Sequence, residues 1–323
     1  MNHFIFRAIE KKSLNLLISK VKFSSSTLGE YQPIFHGAKD TKNFRIYYQK
    51  NNQMISPFHD IPLFSNKDEK ILNMVVEIPR HSHAKMEINK KEYLNPISQD
   101  IKKDKLRYIN NIYPYYGYIW NYGAFPQTYD DPDHVDETTG CIGDNDPLDA
   151  IELGTNKQNR GAVIQVKVLG ALGLIDEGEA DWKVLTIDIN DKLAPELNDI
   201  SDVESKLPGV LEATRDWFKH YKIPNGKPAN KFAMNGRFFD RDFSLKIIEK
   251  SFNAWVNLVQ EKENKKAISL VNTSLENLNT VSDQNARQKL EEIFTDADIL
   301  NSKSEKNLTE VEKIYYIDRS KNY

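Results

Sequence analysis

With 323 residues, 28% of them charged, and a formal net charge of only −3, the chain can bury a sizeable core and carries no global basic field for nucleic acid. Its single cysteine, Cys141, excludes an internal disulfide and cannot alone build a zinc site. No apolar run approaches the roughly 18 residues of a membrane span, so none is expected.

The first 28 residues stand apart. Arg7, Lys11, Lys12, Lys20 and Lys22 face only Glu10, the serines Ser24, Ser25 and Ser26 follow, and Phe4, Ile5, Ala8, Ile9, Leu14, Leu17, Ile18 and Val21 fall near helical spacing. A basic, acid-poor amphipathic start is the composition of a mitochondrial transit peptide. Residues 1–28 are therefore expected to direct the protein to the mitochondrial matrix and to be removed near Phe23 to Gly29; a solvated tail is the alternative.

Residues 29–260 mix short β-rich runs with turn residues. Met74–Ile78, Ala162–Leu169 and Trp182–Ile189 are β-branched, short and bounded by Gly, Pro, Asp or Asn, which predicts strands. Strands at this spacing, with few helices between them, suggest a small barrel. Helices are predicted over Leu211–Tyr221, after the Pro208–Gly209 break, and over Leu245–Val259, where Ile248, Phe252, Trp255 and Val259 recur at helical spacing. Residues 261–323 are rich in Asn, Ser, Lys and Glu, with few apolar side chains before Ile314–Ile317. That composition predicts a polar extension, partly disordered or loosely attached.

The densest chemical signal is Asp144-x-Asp146-x-x-Asp149. Such crowded carboxylates repel one another unless a cation or water screens them, although Asp is also common in turns for backbone reasons. An EF-hand does not fit, because Leu148 would take a ligand position and Asp149 the obligatory glycine. Two further acidic segments follow strands: Asp176-Glu177-Gly178-Glu179-Ala180-Asp181, and Glu77 with Glu87 beyond it. Lys85, Arg107, Lys183 and Lys222 supply cations nearby. Oxygen ligands of this kind suit Mg²⁺ shared with substrate phosphates, and the cations would neutralise an anionic substrate. Neither a Gly-x-x-x-x-Gly-Lys-Ser/Thr loop nor a Gly-x-Gly-x-x-Gly appears. The residues alone thus reach a metal-assisted enzyme acting on phosphates.

The string Gly143-Asp144-Asn145-Asp146-Pro147-Leu148-Asp149 resembles the signature of the soluble family I inorganic pyrophosphatases. Val75–Arg80, Gly117–Thr128, Asp176–Lys183, Leu193–Asp199 and Tyr221–Pro228 agree with the eukaryotic branch in the expected order, and the two ends make the fungal mitochondrial form the nearest likeness. The resemblance is strong from Val75 to Pro228. It implies an α+β fold with a mainly β core: a five-stranded OB-like β-barrel with flanking helices, in a homodimer. It implies hydrolysis of inorganic pyrophosphate to two phosphates with Mg²⁺.

Carried over residue by residue, the resemblance makes Asp144, Asp149 and Asp181 ligands of a core Mg²⁺. Asp146 would share a second ion and act as base toward the attacking water. Asp176 and Glu87 would bind ions arriving with substrate, with Glu77 supporting the cluster. Lys85, Arg107, Tyr221 and Lys222 would grip the phosphates, helped by Lys183 and Tyr122, and Tyr118 is the candidate proton donor. Taken singly, Lys85 with Glu87 also reads as a solvated strand face, Lys222 as surface, and Tyr118 and Tyr122 as core. His81 and His83 depart from the family and are read as surface substitutions; Trp120 departs too and is read as a packing change. A catalytically silent scaffold would be expected to lack one of these side chains, and a single-strand nucleic-acid binder is disfavoured by the acidic cleft.

Overall fold

The β-branched runs of the sequence pair with one another in a ring. In the computed structural model, which describes residues 30–260, 266–294 and 304–321, the strands are β1 (Ile71–Ile78), β2 (Asn121–Ala124), β3 (Asp149–Glu152), β4 (Val163–Asp176) and β5 (Glu179–Asp188). β1 pairs antiparallel with β2, β2 antiparallel with β3, β3 parallel with β5, β5 antiparallel with β4, and β4 antiparallel with β1. The order 1-2-3-5-4 returns to its start, which is the OB-type barrel. β4 and β5 each run longer than, or start earlier than, the apolar pattern alone predicts, because the pair continues out through Asp176 and Glu179 as a two-stranded ribbon. That ribbon carries Asp176, Asp181 and Lys183.

Alternation along β5 divides the core. Trp182 and Val184 pack with Ile247 and Ile248 of the long helix, while Leu185 and Ile187 join a cluster containing Trp217, Phe218 and Trp255. The helices are α1 (Ile200–Lys206), α2 (Val210–His220), α3 (Arg241–Gln260) and α4 (Asp283–Ile293). α2 starts at the Gly209 break, where φ is +86°, and buries Leu211, Trp217 and Phe218. α3 begins at Arg241, one turn before the predicted Leu245, since Asp240 caps it by accepting from the Phe243 amide at 2.8 Å.

A second sheet, in the order Tyr31–His36, Arg45–Lys50, Ile97–Gln99, Met86–Ile88, flanks the barrel. Its last strand brings Glu87 to the barrel mouth, with Lys85 just before it. At the mouth β2 and β1 approach so closely that a Cβ on Gly123 would sit 1.9 Å from the Val75 carbonyl oxygen. Gly123→Ala is accordingly expected to destabilise the fold by about 3 kcal/mol, the upper range for overpacking. A urea unfolding midpoint unchanged from wild type would contradict this.

In the C-terminal stretch, residues 266–294 send side chains into the core, whereas residues 304–321 stay mostly exposed and bury Val311 alone. Ile268 and Leu270 enter the main core, and Ala286 and Leu290 of α4 pack with Tyr47, Met54 and Leu94. Ile314–Tyr315 pairs in parallel with Asn111–Ile112. Few apolar residues suffice because Ile268, Leu270, Ala286 and Leu290 are well buried and side-chain carboxylates tie the backbone: Asp60 accepts from the Thr273 and Ser274 amides, and Asp283 from the Met54 amide. The proposed targeting segment lies outside the described residues. Among the described residues no helix is long and apolar enough to cross a membrane.

Candidate active site

Every side chain to which the sequence assigned a metal, substrate or proton-transfer role lines one cleft of about 170 Å³ at the barrel mouth: Glu77, Lys85, Glu87, Arg107, Tyr118, Tyr122, Asp144, Asp146, Asp149, Asp176, Asp181, Lys183, Tyr221 and Lys222. The fold explains the convergence. β1 carries Glu77 one residue before its end, β2 contributes Tyr122, β3 opens with Asp149, and the β4–β5 ribbon supplies Asp176, Asp181 and Lys183. Register places Lys183 directly opposite Asp149 across the parallel β3–β5 pair. The chain leaving α2 presents Tyr221 and Lys222.

The Asp144–Asp146 loop is a tight turn. The Asp146 amide donates to Asp144 Oδ1 at 3.0 Å, Asn145 takes a φ of +65°, and the Asp130 backbone clasps the loop from both sides through its N–H to Asp146 and its C=O from Asn145, each 2.9 Å. Asn at this position suits the left-handed conformation. Gly143 is needed beneath it, because a Cβ there would lie 2.4 Å from the Asp130 carbonyl oxygen.

Charge crowding is severe. Burial, then Asp181, Asp146, Asp130 and Asp149, push the Asp144 carboxyl well above the usual carboxylate range. Burial with Asp149 opposite raises Asp181 to about 7 even though Lys183 pulls it back. Glu77 is raised by burial and by Asp149, and its Oε1 accepts from the Ile88 amide at 2.7 Å. Burial also raises Glu87, against the pull of Lys85. Among the described residues no three carboxylates or imidazoles stand close enough to clasp an ion outright. Ammonium groups lie between them: Lys183 bonds Asp149 and Asp181, Lys222 bonds Asp176, Lys85 bonds Glu87, and Lys90 bonds Asp146.

The phosphate-gripping candidates are held in charged pairs. Burial opposes the charge of Lys183, whose side chain is 3% exposed, but Asp149 and Asp181 outweigh it. Its Nζ also lies 3.1 Å from the Tyr122 hydroxyl, which donates to Asp149. Arg107 Nη1 reaches Asp100 at 2.8 Å, with Lys85 3.8 Å from the same carboxylate. Tyr221 donates to Asp176 at 3.4 Å and stacks on Trp217. Tyr118 is buried between Tyr122 and Trp217, and burial pushes its hydroxyl up to about 12 although Lys85, Arg107 and Lys183 pull it down.

Sequence reasoning missed Lys90, Asp100 and Asp130. Lys90 sits in the charged turn Asn89–Glu92, where nothing in spacing tells one lysine from its neighbour. Asp130, raised to about 7 chiefly by burial, is one of several aspartates in an Asp-rich loop. One expectation is corrected: His83 is buried, not a surface substitution, and its Nε2 pairs with Asn111 Oδ1 at 2.7 Å. His81 is exposed. Trp120 is a packing residue with one polar tie, its indole N–H donating to Thr214 at 2.9 Å and its ring stacking on Phe218.

An OB-type barrel whose mouth gathers carboxylates under a rim of lysine, arginine and tyrosine defines an enzyme built for phosphate chemistry. The inorganic pyrophosphatase family model matches residues 74–256. Inorganic pyrophosphatase of Drosophila melanogaster is 48% identical over 274 residues, 84% of this chain and 81% of that protein. Its human counterpart is 55% identical over 233 residues, 72% of this chain and 80% of that one. The structure of inorganic pyrophosphatase from Schistosoma japonicum superposes with a TM-score of 0.78 at 44% identity, covering 88% of this chain and 100% of that one. The chain belongs to the soluble inorganic pyrophosphatase family.

Proposed function

We propose that, in the hydrolysis of inorganic pyrophosphate to two orthophosphates that this family performs, Asp146 takes the proton of the attacking water. The observation that carries the reading is the convergence on one cleft of Glu77, Glu87 and the five aspartates with the lysines, Arg107 and tyrosines that line it. Asp146 is suited to the role because it is the most open of the loop carboxylates, with its side chain 49% exposed, and is aimed by Lys90. Lys85, Arg107, Lys183, Lys222, Tyr122 and Tyr221 hold the two phosphoryl groups. Arg107 offers a planar fork and the lysines point charges. Water then forms a new bond to one phosphorus as the bridging P–O bond breaks, and its proton passes to Asp146. Tyr118, kept protonated by its raised pKa, donates to the leaving phosphate. Positioning and charge neutralisation carry the acceleration, and no covalent intermediate is required.

The donor set fits Mg²⁺. The acidic groups that converge are oxygen donors, among the described residues no thiol or imidazole lines the cleft, and the mutual repulsion around Asp144 is what a small dication relieves. Asp144, Asp149 and Asp181 would hold one ion, with Asp146 sharing a second and Asp176 and Glu87 serving ions that enter with substrate; Glu77 supports them. Ions bound there supply charge neutralisation and a more acidic attacking water.

The raised carboxyls set a pH dependence. Asp181 and Asp144 bind protons more tightly folded than unfolded, so their contribution to stability is complete below about pH 4, the unfolded value, and is lost as pH rises through their raised folded values, about 7 for Asp181. Mg²⁺ competes for the deprotonated groups. In thermal melts, Mg²⁺ is therefore expected to raise Tm over the EDTA-treated protein much more at pH 8 than at pH 5; equal shifts at both would contradict the assignment.

Two further parts of the proposal concern the whole protein. Residues 1–28 direct it to the mitochondrial matrix, on their basic amphipathic composition; a fluorescent fusion of residues 1–30 that stays cytosolic refutes this. The protein is a homodimer, on its family membership; a monomer mass by light scattering refutes that.

A further inference from the structure

The residues that hold the loop carrying the proposed base are themselves held, on two sides, by the same piece of the C-terminal stretch. On one side, Lys266 pairs with Asp131 and lies 3.1 Å from Asp133, with its ammonium 5.1 Å from the centre of the Tyr129 ring. Tyr129 donates its hydroxyl to the Asn145 side chain, and the Asp130 backbone between Tyr129 and Asp131 clasps Asn145 and Asp146. On the other side, the Ser269 amide donates to the Lys90 carbonyl at 2.7 Å, and the Lys90 ammonium bonds both the Asp146 carboxylate and the Asn145 carbonyl.

Ser269 is itself fixed. Ile268 and Leu270 are buried in the main core on either side of it. Its carbonyl accepts from Asn95 Nδ2 at 3.0 Å and from His59 Nε2 at 3.0 Å. The Trp255 indole N–H donates to His59 Nδ1 at 3.0 Å, so that nitrogen is the acceptor and Nε2 carries the hydrogen that Ser269 receives. A backbone group tied this way cannot drift without breaking buried hydrogen bonds.

We propose that Lys266–Leu270 is a strap that positions the catalytic loop, Lys266 bracing it through Asp131 and Tyr129, and the Ser269 backbone bracing it through Lys90. The strap touches no reacting atom. Its effect is on where Asp146 stands relative to the attacking water, so it appears in kcat rather than in pyrophosphate affinity, since the phosphate-gripping residues lie on other elements. The inference rests on the assignment of Asp146 as base.

The test uses the full chain with saturating Mg²⁺. Lys266→Met is expected to lower kcat about 10-fold, the size of loss a small misplacement of a catalytic group produces, with KM within about twofold of wild type and Tm nearly unchanged. Lys266→Arg keeps the charge and is expected to recover most of the rate. Ser269→Pro removes the amide donor and is expected to lower kcat as well, whereas Ser269→Ala keeps it and is expected to match wild type. A folded Lys266→Met protein with kcat within twofold of wild type overturns the strap even if Ser269→Pro fails to fold. Rate losses that follow Tm in every variant, Lys266→Arg included, also overturn it by showing only a structural role. An Asp146→Asn protein with undiminished kcat would instead remove the base, and the strap's function with it.

Discussion

Asp146→Asn is expected to lower kcat by about 10²–10⁴-fold, the range attributable to a positioned general base. Asparagine preserves the shape of the side chain and the amide contact from residue 146 to Asp144 Oδ1 at 3.0 Å, so the turn survives. What is lost is the group able to take a proton and the charge that Lys90 aims. Removing one negative charge also relieves Asp144, so the metal-free variant should be at least as stable as wild type. Loss of rate with stability retained is the signature sought in steady-state phosphate release and thermal melts; a kcat within 10-fold of wild type would place the base elsewhere.

Lys183→Met is expected to act on stability as much as on activity. The lysine side chain is buried and bonds Asp149, Asp181 and the Tyr122 hydroxyl. Methionine fills similar volume but leaves the buried Asp181 and the part-buried Asp149 uncompensated, which costs about 3–5 kcal/mol when one partner of a buried ionic cluster is removed. The loss should show as a lower urea midpoint in EDTA and should shrink when Mg²⁺ is added, because the ion restores positive charge beside the same carboxylates. KM for pyrophosphate should rise too, since one phosphate-gripping cation is gone. A midpoint in EDTA equal to wild type would show that Lys183 is not what balances this cluster.

Much of this was readable before the fold. The carboxylates of the cleft were legible because their chemistry is local in sequence: Asp144, Asp146 and Asp149 share one turn, and Asp176, Asp181 and Lys183 one hairpin; Tyr118, Tyr122 and Tyr221 were reached only through the family resemblance. The strand runs and the two apolar helices were legible from periodicity. Lys90 was not, because its importance comes from a neighbour 56 positions away, and a charged turn looks the same whether or not it faces an aspartate. The strap was not, because Ser269 acts through its backbone, which every residue shares. The docking of α4 was hidden by polar composition; a handful of buried positions such as Ala286 and Leu290 carries it. His83 was misplaced because its partner, Asn111, lies far along the chain and gives no sequence signal.

The most direct test of the whole account is phosphate release from pyrophosphate by the full chain, with Mg²⁺ and with EDTA. Rapid release that requires Mg²⁺ and collapses in Asp146→Asn is the predicted result. Release that persists in EDTA, or that survives in the variant, would contradict a carboxylate-held metal and a carboxylate base in this cleft.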